Sequence, residues 1–203
     1  FGRKWGSCAL VGNGGSLLMH KLGHAIDDHD IVIRLNGGPT LGFESFVGKR
    51  TTFRITNRNW MGFSETPQEI VLQHVSTPEA LAQFVALRRE DLAAQQAAND
   101  LTKEPSQVYM LDPEFHEYAM TFMDKGVHSN GFYGVLMATE LCHQVSVYGF
   151  LHDWRGQIQY HYYNGEEPDI QQNLRDDKEA NRLDWFMGNR SATHSFGEPC
   201  MGW

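Results

Sequence analysis

Two asparagines stand where this chain could hold a nucleotide. Asn13 lies in the turn Gly12-Asn13-Gly14-Gly15, directly after the apolar run Cys8-Ala9-Leu10-Val11, and Asn36 opens the turn Asn36-Gly37-Gly38-Pro39, directly after Ile31-Val32-Ile33-Arg34-Leu35. An amide side chain carries both a donor and an acceptor, so it suits ribose and phosphate oxygens without a metal. Flexible backbone and an amide at the carboxyl ends of two parallel strands predict a nucleotide cradle. A third candidate is Ser129-Asn130-Gly131, ahead of an apolar helical stretch. A helix N-terminus attracts anions through its free N–H groups and its dipole, and the plainer reading makes Ser129 the helix cap.

Two histidines could neutralise charge or move a proton. His161 leads the polar aromatic cluster His161-Tyr162-Tyr163-Asn164, which by itself reads as a surface feature. His194 stands four residues before Glu198, and a carboxylate can orient a histidine and raise its pKa, as a general base requires. Among ten histidines a single such pairing carries little alone. Asp28-His29-Asp30 matches the D-x-D pattern that elsewhere holds a metal–nucleotide, but it directly precedes the second strand, on the edge opposite the expected ligand, and reads as structural. The chain holds no H-E-x-x-H, no Walker loop and no G-x-S-x-G. Leu17 occupies the third position of the dinucleotide fingerprint, and no acidic residue is placed for a ribose after the second strand, which sets a generic Rossmann oxidoreductase last among the readings.

Positioning such residues needs a framework, and the pattern supplies one. Strand-like runs at Cys8 to Val11, Ile31 to Leu35, Thr51 to Ile55, Ile70 to Gln73, Val108 to Leu111 and Val145 to Phe150 alternate with helical stretches. The clearest helix runs from Pro78 to Asn99, with Thr77 as cap and Leu81, Phe84, Val85 and Leu92 as its apolar stripe; Arg88 to Asp91 read as a solvated face. Further helices are expected from Asp112 to Met123 and from Phe132 to Leu141. This alternation predicts one α/β domain over residues 1–203, with a mainly parallel, Rossmann-like sheet flanked by helices. At 203 residues and 41% hydrophobic composition the chain can bury a core. Its net charge of −8 argues against sequence-independent nucleic-acid binding, which needs a basic surface. No apolar run approaches a membrane span and no secretory leader is visible; Phe1 in place of Met reads as a trimmed chain, which leaves an N-terminal anchor open. Cys8, Cys142 and Cys200 form no C-x-x-C pair, so one disulfide with one thiol, or three thiols, are both open. Asn189-Arg190-Ser191 is a glycosylation sequon, relevant only in a secretory compartment.

Taken together in order, these segments resemble the eukaryotic-type sialyltransferases, glycosyltransferase family 29. Residues 8–57 resemble the large motif over its whole length, through C-A-L-V-G-N-x-G, I-D-x-H-D-x-V-I-R-L-N, P-T-x-G-F-E and V-G-x-x-T-T. Residues 127–151 resemble the small motif, 161–164 the third, and 194–198 are the candidate for the final one. The resemblance implies a single-domain, GT-A-like variant of the nucleotide-sugar transferase fold and an inverting, metal-independent transfer of sialic acid from CMP-sialic acid to a hydroxyl of a glycan, on a glycoprotein, glycolipid or polysaccharide. It implies that Asn13 and Asn36 contact the CMP phosphate and ribose, that Ser129, Asn130 and Gly131 lie along the nucleotide and the donor carboxylate, and that His161 neutralises the departing phosphate. It further implies a Cys8–Cys142 disulfide, no cofactor, and residence in the Golgi lumen as a type II membrane protein whose anchor is absent from these residues. The chain departs from the family at Val127, His128 and Asn130, where the small motif usually has an aromatic, Pro, and Ser or Thr, and in the late, four-residue spacing of His194 and Glu198. Two other expectations follow: transfer of another CMP-activated acidic sugar such as Kdo, or a CMP- or glycan-binding protein without catalysis.

Overall fold

The computed structural model describes residues 4–98, 106–122, 128–150 and 158–165. Chain order is β1 (Trp5–Val11), a 3-10 turn (Gly15–Met19), α1 (Gly23–Asp27), β2 (Ile31–Leu35), α2 (Glu44–Val47), β3 (Phe53–Thr56), β4 (Ile70–Gln73), α3 (Pro78–Ala98), β5 (Val108–Met110), α4 (Pro113–Met120), α5 (Asn130–Leu141) and β6 (Cys142–Tyr148). All six strands are parallel, in the order β5-β4-β3-β2-β1-β6. The α/β fold class and all six strands are therefore as the sequence predicts.

Period-2 alternation assigns each strand residue to a face. Cys8 and Leu10 of β1, Ile31, Ile33 and Leu35 of β2, and Ile55 of β3 pack with Val135 and Ala138 of α5. Ala9, Val11 and Val32 face the other way, against Ile26 of α1, Val47 of α2 and Tyr162. Because helices cover both faces, β2 reads as an unbroken buried run rather than as an alternating one. Leu10 is fully buried, which contributes about 2 kcal/mol of the kind a core leucine supplies. A disulfide joins Cys8 to Cys142, with Cα atoms 5.9 Å apart, and so ties β1 to the start of β6.

The strand order places a topological switch between β1 and β6. From β1 the chain steps outward to β5, then returns through α5 to pair β6 on the other side of β1. In such sheets a ligand sits outside the carboxyl ends of the strands at the switch. Asn13, Asn36, Asn57 and His74 follow β1, β2, β3 and β4 on that edge, and the N-terminus of α5 points to it.

Two expectations are corrected. Leu81, Val85 and Leu92 are exposed, so they are not the buried stripe of α3. The inward face is Ala80, Phe84, Leu87 and Asp91, roughly a quarter turn away at 100° per residue. Arg88, expected on the solvated face, donates to Asp91 at 3.0 Å and to Ser106 Oγ at 2.8 Å, a polar tie that fixes the helix's rotation ahead of β5. The second correction concerns α5, which starts at Asn130 rather than Phe132: Ser129 is its cap, so Asn130 and Gly131 form its first turn.

Candidate functional site

Among the described residues, Asn36 is held at every polar group but one. Its backbone adopts the left-handed region, φ 50°, which Asn tolerates better than most residues. Its N–H donates to the Ile55 carbonyl at 2.9 Å, and its own carbonyl accepts from Arg54 at 2.7 Å. Its Oδ1 accepts from the Asn57 backbone N–H at 3.1 Å and from Asn130 Nδ2 at 2.8 Å. Asn130, itself buried, also donates to the Ile55 carbonyl at 3.3 Å. The turn after β2 and the first turn of α5, 94 residues apart in the chain, thus meet through one amide pair.

Asn13 spans the neighbouring gap, donating from Nδ2 to the Leu35 carbonyl at 3.2 Å. The glycines around it do something other than bare their backbone to a ligand. Gly12, Gly14 and Gly15 donate to the carbonyls of Tyr148, Gly149 and Gln159 at 2.8, 3.0 and 3.1 Å. A Cβ on Gly15 would stand 2.4 Å from the Gln159 carbonyl oxygen, and one on Gly38 would stand 2.3 Å from Asn13 Oδ1. The glycines permit close packing of two turns and of the later segment 159–162, so the polar groups offered on this edge are chiefly side-chain amides.

That later segment carries His161. Tyr162 donates its backbone N–H to the Asn13 carbonyl at 2.9 Å, and its buried hydroxyl donates to the Pro39 carbonyl. Burial raises the Tyr162 phenol above its ordinary value, which keeps it a neutral donor. One residue away, His161 stacks on Tyr163 with centroids 5.1 Å apart, and Asn164 Nδ2 lies 3.5 Å from its Nδ1. The three motif regions therefore converge on the carboxyl edge: Asn13 and Asn36 by the first two strands, Asn130 at the head of α5, and His161 through its neighbour's anchor on Asn13.

Ser129 is the cap of α5, its Oγ accepting from the Phe132 N–H at 3.3 Å, and Gly131 follows in the first turn. Asp30 and Asp28 lie on the opposite edge: Asp30 accepts the Ser7 N–H at 2.8 Å, and Asp28 pairs with His24 at 3.1 Å. Among the described residues no group of three or more His, Cys, Asp or Glu side chains is arranged to hold a metal ion. His194, Glu198, the sequon Asn189 and Cys200 lie outside the described residues.

Two parts of the site have no counterpart in the sequence reading. The first is Arg54, fully buried in β3, which pairs with Glu69 at 2.5 Å, lies 3.5 Å from Glu65, and donates to the carbonyls of Asn36 and Gly38 at 2.7 and 3.1 Å. Glu65 in turn accepts the N–H groups of Thr40 and Leu41, at 2.9 Å each. Together they clamp the turn 36–41. The signal was a charged residue in the middle of a strand otherwise apolar and β-branched, which demands a buried partner. The second is a histidine pair: His74 Nε2 lies 3.2 Å from His116 Nδ1, which lies 2.7 Å from the Tyr133 hydroxyl. Burial, reinforced by His116, pushes His74 down to about 4, so it is neutral at physiological pH.

The family model for glycosyltransferase family 29 (sialyltransferase) matches residues 2–181. A rat CMP-N-acetylneuraminate-β-1,4-galactoside α-2,3-sialyltransferase is 31% identical over 189 residues, spanning 77% of this chain and 47% of the relative. A mouse α-N-acetylgalactosaminide α-2,6-sialyltransferase 2 is 31% identical over 192 residues, at 79% and 52%. A human type 2 lactosamine α-2,3-sialyltransferase is 32% identical over 177 residues, at 77% and 53%. The chain thus spans about half the length of the curated relatives it matches. Among solved structures, a mammalian sialyltransferase in complex with Gal-β-1-3GalNAc-ortho-nitrophenol has the same fold, with a TM-score of 0.69 and 24% identity over 95% of this chain and 70% of that one.

Proposed function

The chain belongs to glycosyltransferase family 29, the sialyltransferases, and from that premise we propose that it transfers sialic acid from CMP-sialic acid to a hydroxyl of a glycan acceptor, with inversion and without a metal. The observation that carries the reading is the Asn36–Asn130 pair, 2.8 Å apart at the carboxyl edge beside the topological switch. It joins the two segments that the family resemblance assigns to the nucleotide.

In this reading the acceptor hydroxyl attacks the anomeric carbon directly. A base, for which His194 is the candidate, takes its proton, and CMP departs. His161 and the Asn36 amide face the charge that grows on the leaving phosphate, Asn13 serves the ribose, and the N-terminal turn of α5 adds its dipole. A monophosphate leaving group carries less charge than a diphosphate, which is the physical ground for dispensing with a cation. The relatives are named for both α-2,3 and α-2,6 transfer, so the reading stops at a glycan hydroxyl. Residence in the Golgi lumen behind an N-terminal anchor, and glycosylation at Asn189, belong to the same proposal.

The test is a transfer assay with CMP-sialic acid and a panel of glycan acceptors in EDTA. Product in EDTA supports the metal-free route, and activity abolished by EDTA removes it. His194→Ala should lower turnover by roughly a hundredfold or more, the range a general base contributes; near-normal turnover would exclude His194 as the base. CMP-Kdo as a parallel donor tests the sugar, because Asn130 replaces the small motif's usual Ser or Thr. CMP binding without turnover of either donor would favour a homologue that has lost catalysis.

A further inference from the structure

We propose that Asn130 is a positioning residue: it locks the Asn36 side chain as a hydrogen-bond donor, so that Asn36 meets an anionic oxygen of the ligand, while Asn13 is locked with the opposite polarity. This rests on the CMP-sugar reading and deepens it. Three main-chain groups fix the polarities, and main-chain groups cannot exchange donor for acceptor. The Asn57 N–H can only donate, so the Asn36 atom 3.1 Å from it is the oxygen. The Ile55 carbonyl can only accept, so the Asn130 atom 3.3 Å from it is the nitrogen, and the same nitrogen lies 2.8 Å from Asn36 Oδ1. Asn36 Oδ1 therefore has both lone pairs engaged. Its Nδ2, with two donors, is the end that no described residue uses. The Leu35 carbonyl fixes Asn13 in the same way but with its nitrogen inward at 3.2 Å, which leaves Oδ1 as the end on offer.

The remaining contacts explain why the arrangement does not relax. The Asn36 backbone is tied at both N–H and carbonyl, to Ile55 and Arg54. Asn130 is buried and sits in the first turn of α5, whose cap is Ser129. A serine or threonine at position 130 has a rotatable hydroxyl that donates or accepts; an amide held by a backbone carbonyl can only donate to Asn36. This chain's Asn130 thus converts an adaptable contact into a fixed one.

The experiment compares binding of CMP and of cytidine, which lacks the phosphate, by calorimetry. Asn36→Asp keeps the shape, tolerates the left-handed backbone, and retains an oxygen for both the Asn57 N–H and Asn130, but it turns a carboxylate oxygen toward the ligand. We expect its CMP affinity to fall about a hundredfold while cytidine binding stays within about twofold, since a charge-assisted donor is replaced by a repelling acceptor. Asn130→Asp cannot donate to Asn36 or Ile55 and should produce the same selective loss; Asn130→Ser should produce a smaller one. Asn36→Asp that binds CMP as tightly as the wild type overturns the inference even if Asn130→Asp fails to fold, and equal losses for CMP and cytidine assign Asn36 a merely structural part and overturn it too. Wild-type protein that binds no CMP overturns the nucleotide reading itself, a result distinct from either.

Discussion

The two edges of the sheet are both dense in polar side chains, and they differ in what is left over. At the amino edge, Asp27 accepts the backbone N–H groups of Lys49 and Arg50 at 2.9 to 3.1 Å, and Asp30 accepts that of Ser7. Those carboxylates close loops onto strands. At the carboxyl edge, Asn13 and Asn36 each commit one end of the amide to the main chain and keep the other. Asp28-His29-Asp30 has the more suggestive sequence pattern, yet the hydrogen-bonding capacity left unused by the described residues lies with the amides. Polar density alone does not mark a site; hydrogen-bonding capacity that the fold orients and does not use does.

The comparison can be broken most severely at Arg54. Arg54→Met leaves Glu69 buried without its partner and releases the carbonyls of Asn36 and Gly38, so unfolding free energy should fall by on the order of 4 kcal/mol in a denaturant titration. A change under 1 kcal/mol would mean that the clamp is not what holds this edge. His161→Ala should leave folding intact and lower turnover about a hundredfold, equivalent to about 3 kcal/mol of transition-state stabilisation; unchanged kcat would remove His161 from the leaving phosphate.

The third prediction concerns pH. His74 is pushed down to about 4 from an ordinary 6.5, so the unfolded chain takes up its proton first as pH falls. Its contribution is fully present above pH 6.5 and is lost progressively toward pH 4. Melting temperatures between pH 7 and pH 5 should therefore drop, by about 2 kcal/mol of stability from this group at pH 5, and His74→Gln should flatten the profile. A wild-type profile flat over that range would show that His74 is not buried neutral. The smallest effect belongs to the amino edge: Asp30→Ala should cost about 1 kcal/mol and leave CMP affinity unchanged. A loss of CMP binding there would erase the distinction between the edges.

Much of this was legible in one dimension, for identifiable reasons. The six strands are short β-branched runs bounded by glycine, asparagine or aspartate, a local signal that survives folding, and Asp112-Pro113 marks the start of α4 equally plainly. The α3 stripe differs from the apolar pattern at Leu81, Val85 and Leu92 because a helix's apolar residues are a face only relative to what packs on them, and here Ala80, Phe84 and the Arg88–Asp91–Ser106 tie set the rotation. Arg54 and Glu69, fifteen residues apart, give no sign of each other in the sequence; nor do His74 and His116, which only the adjacency of β4 and α4 brings together.

By itself the sequence determined the element order, the α/β class, the family and the asparagines at the strand ends, because each rests on local propensity or on ordered motif spacing. Only the tertiary structure decided what those residues can do. It turned the glycines from a ligand cradle into a packed junction and gave Asn13 and Asn36 opposite polarities, while bearing out the Cys8–Cys142 disulfide that the resemblance implies. The physical reason is that an amide's free end is defined by which end is already bonded, and its partners lie on other elements of the fold.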